Sequence, residues 1–157
     1  MTPFLTIRVV LEAGAALGFM LLSVGVLGRP FCFRRQLTVR EARMTQVSDI
    51  LLWVGAMVVV VAHLGLWFSV VGLGTWFYLS NPLQITQVVL FLGILVLDVW
   101  PARKFRSWSR YLDLDQVPYF TDREYLLIRR IWRIQAVLMV VLPVFTPLIR
   151  MGIGLSR

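Results

Sequence analysis

Between Ile50 and Leu97 the chain runs for 48 residues without Asp, Glu, Lys or Arg. One helix of that length would reach about 72 Å, against a hydrocarbon core about 30 Å thick, so the stretch must hold two crossings with a turn between them. Gly72, Gly74, Ser80, Asn81 and Pro82 mark the turn. Pro82 suits the first position of a helix, because its missing N–H falls where no intrahelical acceptor exists. Two further apolar runs, 5–27 and 134–149, lie outside the stretch. The chain therefore reads as an all-α integral membrane four-helix bundle, a single transmembrane domain over residues 1–157. Its helices are expected near 5–27, 48–72, 82–100 and 131–149. A composition of 59% hydrophobic and 15% charged residues, with mean hydropathy +0.79, excludes a water-soluble globule and a disordered tail.

Charge placement orients the bundle. Of 16 Lys and Arg residues, five (Arg29, Arg34, Arg35, Arg40, Arg43) fall between the first and second spans. Eight (Arg103, Lys104, Arg106, Arg110, Arg123, Arg129, Arg130, Arg133) fall between the third and fourth. The positive-inside rule makes both loops cytoplasmic and leaves both termini outside, in a multi-pass membrane protein. The net charge of +8 is then a juxtamembrane feature suited to anionic headgroups, and with no nucleic-acid motif beside it no nucleic acid is expected as a partner. The first apolar run contains Glu12 and leads to Gly28-Arg29-Pro30 without a small-x-small cleavage site, so it reads as a retained span. The single cysteine, Cys32, has no disulfide partner and no second thiol for a metal, and reads as an inert interfacial thiol.

Local signals refine this picture. Thr121-Asp122-Arg123-Glu124 is a capping box, so a helix starts near 122 and runs along the interface before entering the membrane. Pro143 and Pro147 should kink it. Trp53, Trp100, Trp108 and Trp132 at the inner boundary, with Trp67, Trp76, Phe77 and Tyr78 at the outer one, read as aromatic belts. Gly14, Gly18 and Gly25 give the first helix a face that another backbone can approach closely, with packing inside the unit as its expected use.

Few polar groups lie deep. Counting along the spans puts Glu12 about 10–12 Å, His63 about 14 Å and Gln87 about 8 Å below the outer boundary, where they could meet. Ionisable residues at such depth default to functional candidates, so His63, Glu12 and Gln87 are candidate ligands for a cofactor. Arg8, four residues before Glu12 on the same face, is its local ion-pair partner. Asp49 and Asp98, at the inner helix ends among many Arg side chains, are expected in interfacial salt bridges. One His falls short of the two axial ligands haem b usually takes, and Glu12 with His63 makes too thin a shell for zinc or iron. No metal is expected and no cofactor predicted, with haem or another pigment on His63 kept as the alternative. No phosphate loop, nucleophile elbow or catalytic carboxylate pair is present.

The run Phe77-Tyr78-Leu79-Ser80-Asn81-Pro82-Leu83, the exit Trp100-Pro101-Ala102-Arg103-Lys104-Phe105 with Trp108 beyond it, and Arg40-Glu41-Ala42-Arg43 leading to Asp49 resemble a bacterial family of small four-span membrane proteins, domain of unknown function 2214. The resemblance covers most of the chain from Arg40 onward and implies a four-helix integral protein of bacterial cytoplasmic membranes. At the level of fold the architecture also resembles the membrane protoporphyrinogen oxidase family, which uses a His on its first helix. Here the first helix has Glu12 and no His, and the third has Gln87 where that likeness would place a basic residue. The first functional reading is a non-catalytic accessory or assembly subunit packing with other integral membrane subunits and lipids. The alternatives are a tetrapyrrole- or quinone-handling redox protein using His63 and a proton-coupled transporter using Glu12.

Overall fold

Each of the four apolar runs belongs to a helix that continues past it at the basic end. The computed structural model describes residues 3–68 and 80–151, and places in them α1 (Pro3–Cys32), α2 (Val39–Phe68), α3 (Pro82–Asp113) and α4 (Asp122–Arg150). All four are long and apolar enough to cross a membrane. Gly72, Gly74, Trp76, Phe77 and Tyr78, and the end of the second expected span, lie outside the described residues.

The helices exceed the expected spans at the basic end of the bundle. α1 continues through Pro30, α2 begins at Val39 rather than near 48, and α3 continues from Trp100 through Pro101 to Asp113. Absence of charge marks where a helix can lie in lipid, whereas caps and propensity decide where it ends. At the start of α2, Thr38 N donates to Glu41 Oε2 at 2.9 Å and Glu41 N donates to Thr38 Oγ1 at 3.2 Å. This is a capping box, about three turns ahead of the charge-free stretch. α4 opens with the expected box of Thr121 and Glu124, and Asn81 caps α3 by accepting from Leu83 N at 2.9 Å.

Neighbouring helices run antiparallel in the order α1, α2, α3, α4 around the bundle, with α4 closing against α1. The α1–α2 pair is much the closest. A Cβ added to Gly25 would lie 2.5 Å from Leu52 N, and one on Gly18 would lie 2.8 Å from Val59 N. At Gly55 it would lie 2.6 Å from Gly18 O. Backbone therefore rests on backbone along this seam, which is how membrane helices gain packing where burial from water offers no drive. Gly14 is different, since a Cβ there would sit 3.8 Å from that of Ala62, an ordinary contact.

Two apolar cores are stacked along the bundle axis. The mid-span core gathers Leu22, Val26, Leu52, Ala56, Ile94, Met139 and Leu142. The second, at the basic end, gathers Phe33, Leu37, Phe105, Trp108, Leu112, Ile128 and Trp132. Trp108 and Trp132 are each 1% exposed, so these two are core residues rather than members of an aromatic belt. The helical extensions carry them past the lipid boundary into a protein interior, where Phe33 packs edge-on to Trp132 at 5.0 Å and stacks with Trp108 at 6.2 Å. Trp100 remains 39% exposed, and Trp53 is half-buried against the mid-span core.

Candidate functional site

Between the two cores every helix contributes a buried polar side chain to one cluster. On α1 it is Arg29, three residues after Val26 and four before Phe33. On α2 it is Asp49, three residues before Leu52, and on α3 Asp98, four after Ile94. On α4 it is Gln135, three after Trp132 and four before Met139. The helical period places each on the same inward stripe as its apolar neighbours.

These four side chains bond to one another. Arg29 Nη1 donates to Asp98 Oδ1, and Arg29 Nη2 donates to Asp49 Oδ1 and, at 3.1 Å, to Asp98 Oδ2. The guanidinium thus forks onto Asp98 with two donors while bridging to Asp49, a geometry suited to arginine and unavailable to lysine. Gln135 Nε2 donates to Ile94 O at 2.9 Å and to Asp98 Oδ1 at 3.3 Å. The Trp132 ring covers the guanidinium at 5.8 Å. One cation faces two carboxylates, so the cluster carries a formal charge of −1. Two polar atoms, Arg29 Nε and Gln135 Oε1, are buried with no hydrogen-bond partner among the described residues.

Around the basic end a ring of exposed and half-buried pairs encloses the aromatic core. Arg35 donates to both oxygens of Asp122 at 3.0 and 2.6 Å, joining the α1–α2 loop to the start of α4, and the bonded Asp122 carboxylate raises the Arg35 guanidinium further above its ordinary pKa. Arg43 binds Asp115 at 2.7 Å and Leu112 O at 3.1 Å, and Lys104 binds Glu124 at 2.6 Å.

The residues singled out by depth are placed differently. Arg8 Nε lies 3.1 Å from Glu12 Oε1, with the two side chains 49% and 39% exposed. His63 Nδ1 donates to Val59 O at 2.9 Å within its own helix, which leaves the Nε2 lone pair of the neutral ring for any ligand. Leu11 meets Gly65 and Gly14 meets Ala62, so Glu12 and His63 stand at the same level of the α1–α2 pair. Gln87, in contrast, donates to Thr146 of α4 at 3.2 Å. Among the described residues no three His, Cys, Asp or Glu side chains gather where a metal ion could be held.

Asp49 and Asp98, expected in salt bridges at the inner helix ends, both pair with Arg29, and the pairs are buried inside the bundle. Arg29 and Gln135 were not singled out at all. Arg29 stood in the Gly28-Arg29-Pro30 exit and was counted with the loop, although it continues the spacing of Gly18, Leu22 and Gly25. Gln135 follows Ile128 and Trp132 at seven and three residues. That continuity of an apolar stripe through a polar residue was the available signal.

The family model described as a predicted membrane protein (DUF2214) matches residues 7–154. No curated protein and no solved structure matches the chain.

Proposed function

The chain belongs to the DUF2214 family of predicted membrane proteins, and we propose that within the membrane it serves as a non-catalytic accessory or assembly subunit that docks another protein on its basic end. The supporting observation is the α3–α4 connection. Phe120 packs on Phe33 at 5.2 Å and Pro118 is buried, which anchors the segment. The same segment presents Leu114, Val117 and Tyr119 outward at 70%, 51% and 83% exposure. α3 runs 16 residues past Leu97, about 24 Å at the helical rise, whereas the headgroup layer is about 5–8 Å deep. An ordered apolar display at the end of so long an extension is suited to a protein contact. The buried polar groups support the same reading, because Arg29, Asp49, Asp98 and Gln135 bond to one another across four helices and act as a lock.

The proposal places the protein in the bacterial inner membrane with the basic end cytoplasmic and both termini periplasmic. A cysteine at 119 should then be labelled only from the cytoplasmic side. The docking test compares native-gel migration of complexes extracted in mild detergent. Wild type should migrate in an assembly larger than the 18.0 kDa chain, and Leu114→Asp/Val117→Asp/Tyr119→Asp should release it at equal abundance. A wild type that migrates alone, or a triple variant that stays assembled, overturns the reading. A stoichiometric Soret band lost in His63→Ala at equal protein level would replace it with the tetrapyrrole alternative.

A further inference from the structure

The flank of α2 at the basic end carries an open groove of about 620 Å³ that the ion cluster does not use, with Asp115 of the α3–α4 connection on its rim. Its walls are amphipathic along the helix axis. Arg40 and Arg43 stand at the upper end, and Met44, Val47 and Cys32 continue the wall toward the membrane. Counted from Ile50, where the charge-free stretch starts, Val47 lies about 5 Å, Arg43 about 10 Å and Arg40 about 15 Å up the helix, and both arginine side chains are long enough to reach back toward the membrane. That interval straddles the headgroup layer and its outer edge.

The two arginines are held differently. Arg43 spends only Nη2 on Leu112 O and Asp115, and this pair fixes the guanidinium at the rim while Nε and Nη1 make no bond among the described residues. Asp115 reaches that position from a left-handed turn, φ 52°, directly after α3. Arg40 is exposed and has no ion-pair partner among the described residues. After Asp115 is counted the groove retains a positive charge, with guanidinium donors above an apolar wall. That order complements a phosphate above an acyl chain.

We propose that this groove is a binding site for an anionic phospholipid, with the phosphate on Arg40 and Arg43 and the upper acyl chain along Met44 and Val47. The groove meets the α3–α4 connection at Asp115, and the lipid assignment does not rest on the docking role of Leu114, Val117 and Tyr119. A zwitterionic lipid offers the same chain but sets a choline against the guanidinium groups, so discrimination should come from the headgroup charge.

Cys32, the single cysteine, lines the groove and reports its occupancy. The full chain in nonionic detergent micelles is titrated with dioleoylphosphatidylglycerol, dioleoylphosphatidylcholine or inorganic phosphate, and the rate of Cys32 alkylation is followed. Phosphatidylglycerol should slow alkylation saturably, and phosphatidylcholine and phosphate should not. Each basic residue at a membrane surface is worth about 1 kcal/mol toward anionic lipid, so Arg40→Gln should raise the half-protecting mole fraction about fivefold. Arg123→Gln removes the same charge from an exposed site outside the groove and should leave the titration unchanged. Equal protection by both lipids overturns the proposal, as does an equal loss in the two variants, which would make the effect diffuse attraction. Protection by phosphate at the same level would make it an anion site with no lipid selectivity and would overturn the lipid assignment.

Discussion

The molecule contains two arginine–carboxylate sites on α1, and they differ in nearly every physical respect. Arg8 and Glu12 share one helix, are half-exposed and pair across a single turn. Arg29 is 0% exposed and, with Asp49, Asp98 and Gln135, ties four helices at the level where two apolar cores meet. Distance below a membrane boundary favoured the first, and distance from the bundle axis distinguishes the second. Depth along a span and burial inside a bundle are separate coordinates, and only the second removes a charge from every solvent except protein.

The largest effect should come from Arg29→Ala. Removing one partner of a buried ion pair typically costs about 3–5 kcal/mol because the remaining charge is left uncompensated. Here two carboxylates would be stranded. Unfolding in bicelles, read by Trp fluorescence, should show a loss of that size together with reduced accumulation in membranes. Arg29→Met/Asp49→Leu/Asp98→Leu, which removes all the charge, should recover most of it. A single variant as stable as wild type would refute the role of the cluster as a lock.

Second in size is the helix seam. Gly25→Ala would put a methyl carbon 2.5 Å from Leu52 N, where the neighbour is backbone and has no rotamer to change, so α1 and α2 must separate. Overpacking of this kind costs about 1–3 kcal/mol. Gly14→Ala, facing only the Ala62 methyl at 3.8 Å, should be close to neutral in the same assay. Equal losses at both positions would show that the seam depends on glycine for a reason other than close approach.

These sites show how far the sequence could be read. The crossings followed from missing charge between Ile50 and Leu97, a property lipid selects directly. The Thr121–Glu124 box was legible because its two side chains are local. The extension of α2 was equally local, in Thr38 and Glu41, and was obscured by treating the onset of charge as the end of helix. Asp49 and Asp98 drew attention as acids among many Arg side chains, but no local rule selects Arg29 among 16 basic residues. That selection depends on which faces of four helices turn inward together, and the shared spacing with Leu22, Leu52, Ile94 and Met139 is its sequence trace. His63 and Gln87 illustrate the converse, since each is deep in the sequence count while bonding to Val59 and to Thr146.

A smaller change of opposite sign is expected on the outer surface. Nothing lies within 4 Å of a Cβ added to Gly93, so the methyl group would meet no protein atom. Gly93→Ala should therefore stabilise by about 0.5–1 kcal/mol through helix propensity alone. A loss instead would mean that a partner backbone covers this face in the membrane, a result that bears directly on the proposed subunit role.

The smallest effect is expected at Arg8, where the comparison between the two sites is most exposed to failure. An i,i+4 pair on a helix surface contributes about 0.3–0.5 kcal/mol, because solvent screens both charges and both long side chains lose rotamer freedom on pairing. Arg8→Ala should lower stability by that amount at low salt, and raising the ionic strength to 1 M, where the Debye length is about 3 Å, should erase the difference from wild type. The deficit of Arg29→Ala should survive the same salt, since ions cannot enter a cluster whose cation is 0% exposed. Salt-independent losses of similar size at both sites would mean that the surroundings of Glu12 are as closed as those of Asp98. Exposure would then no longer separate the fastening of one helix turn from the fastening of the bundle.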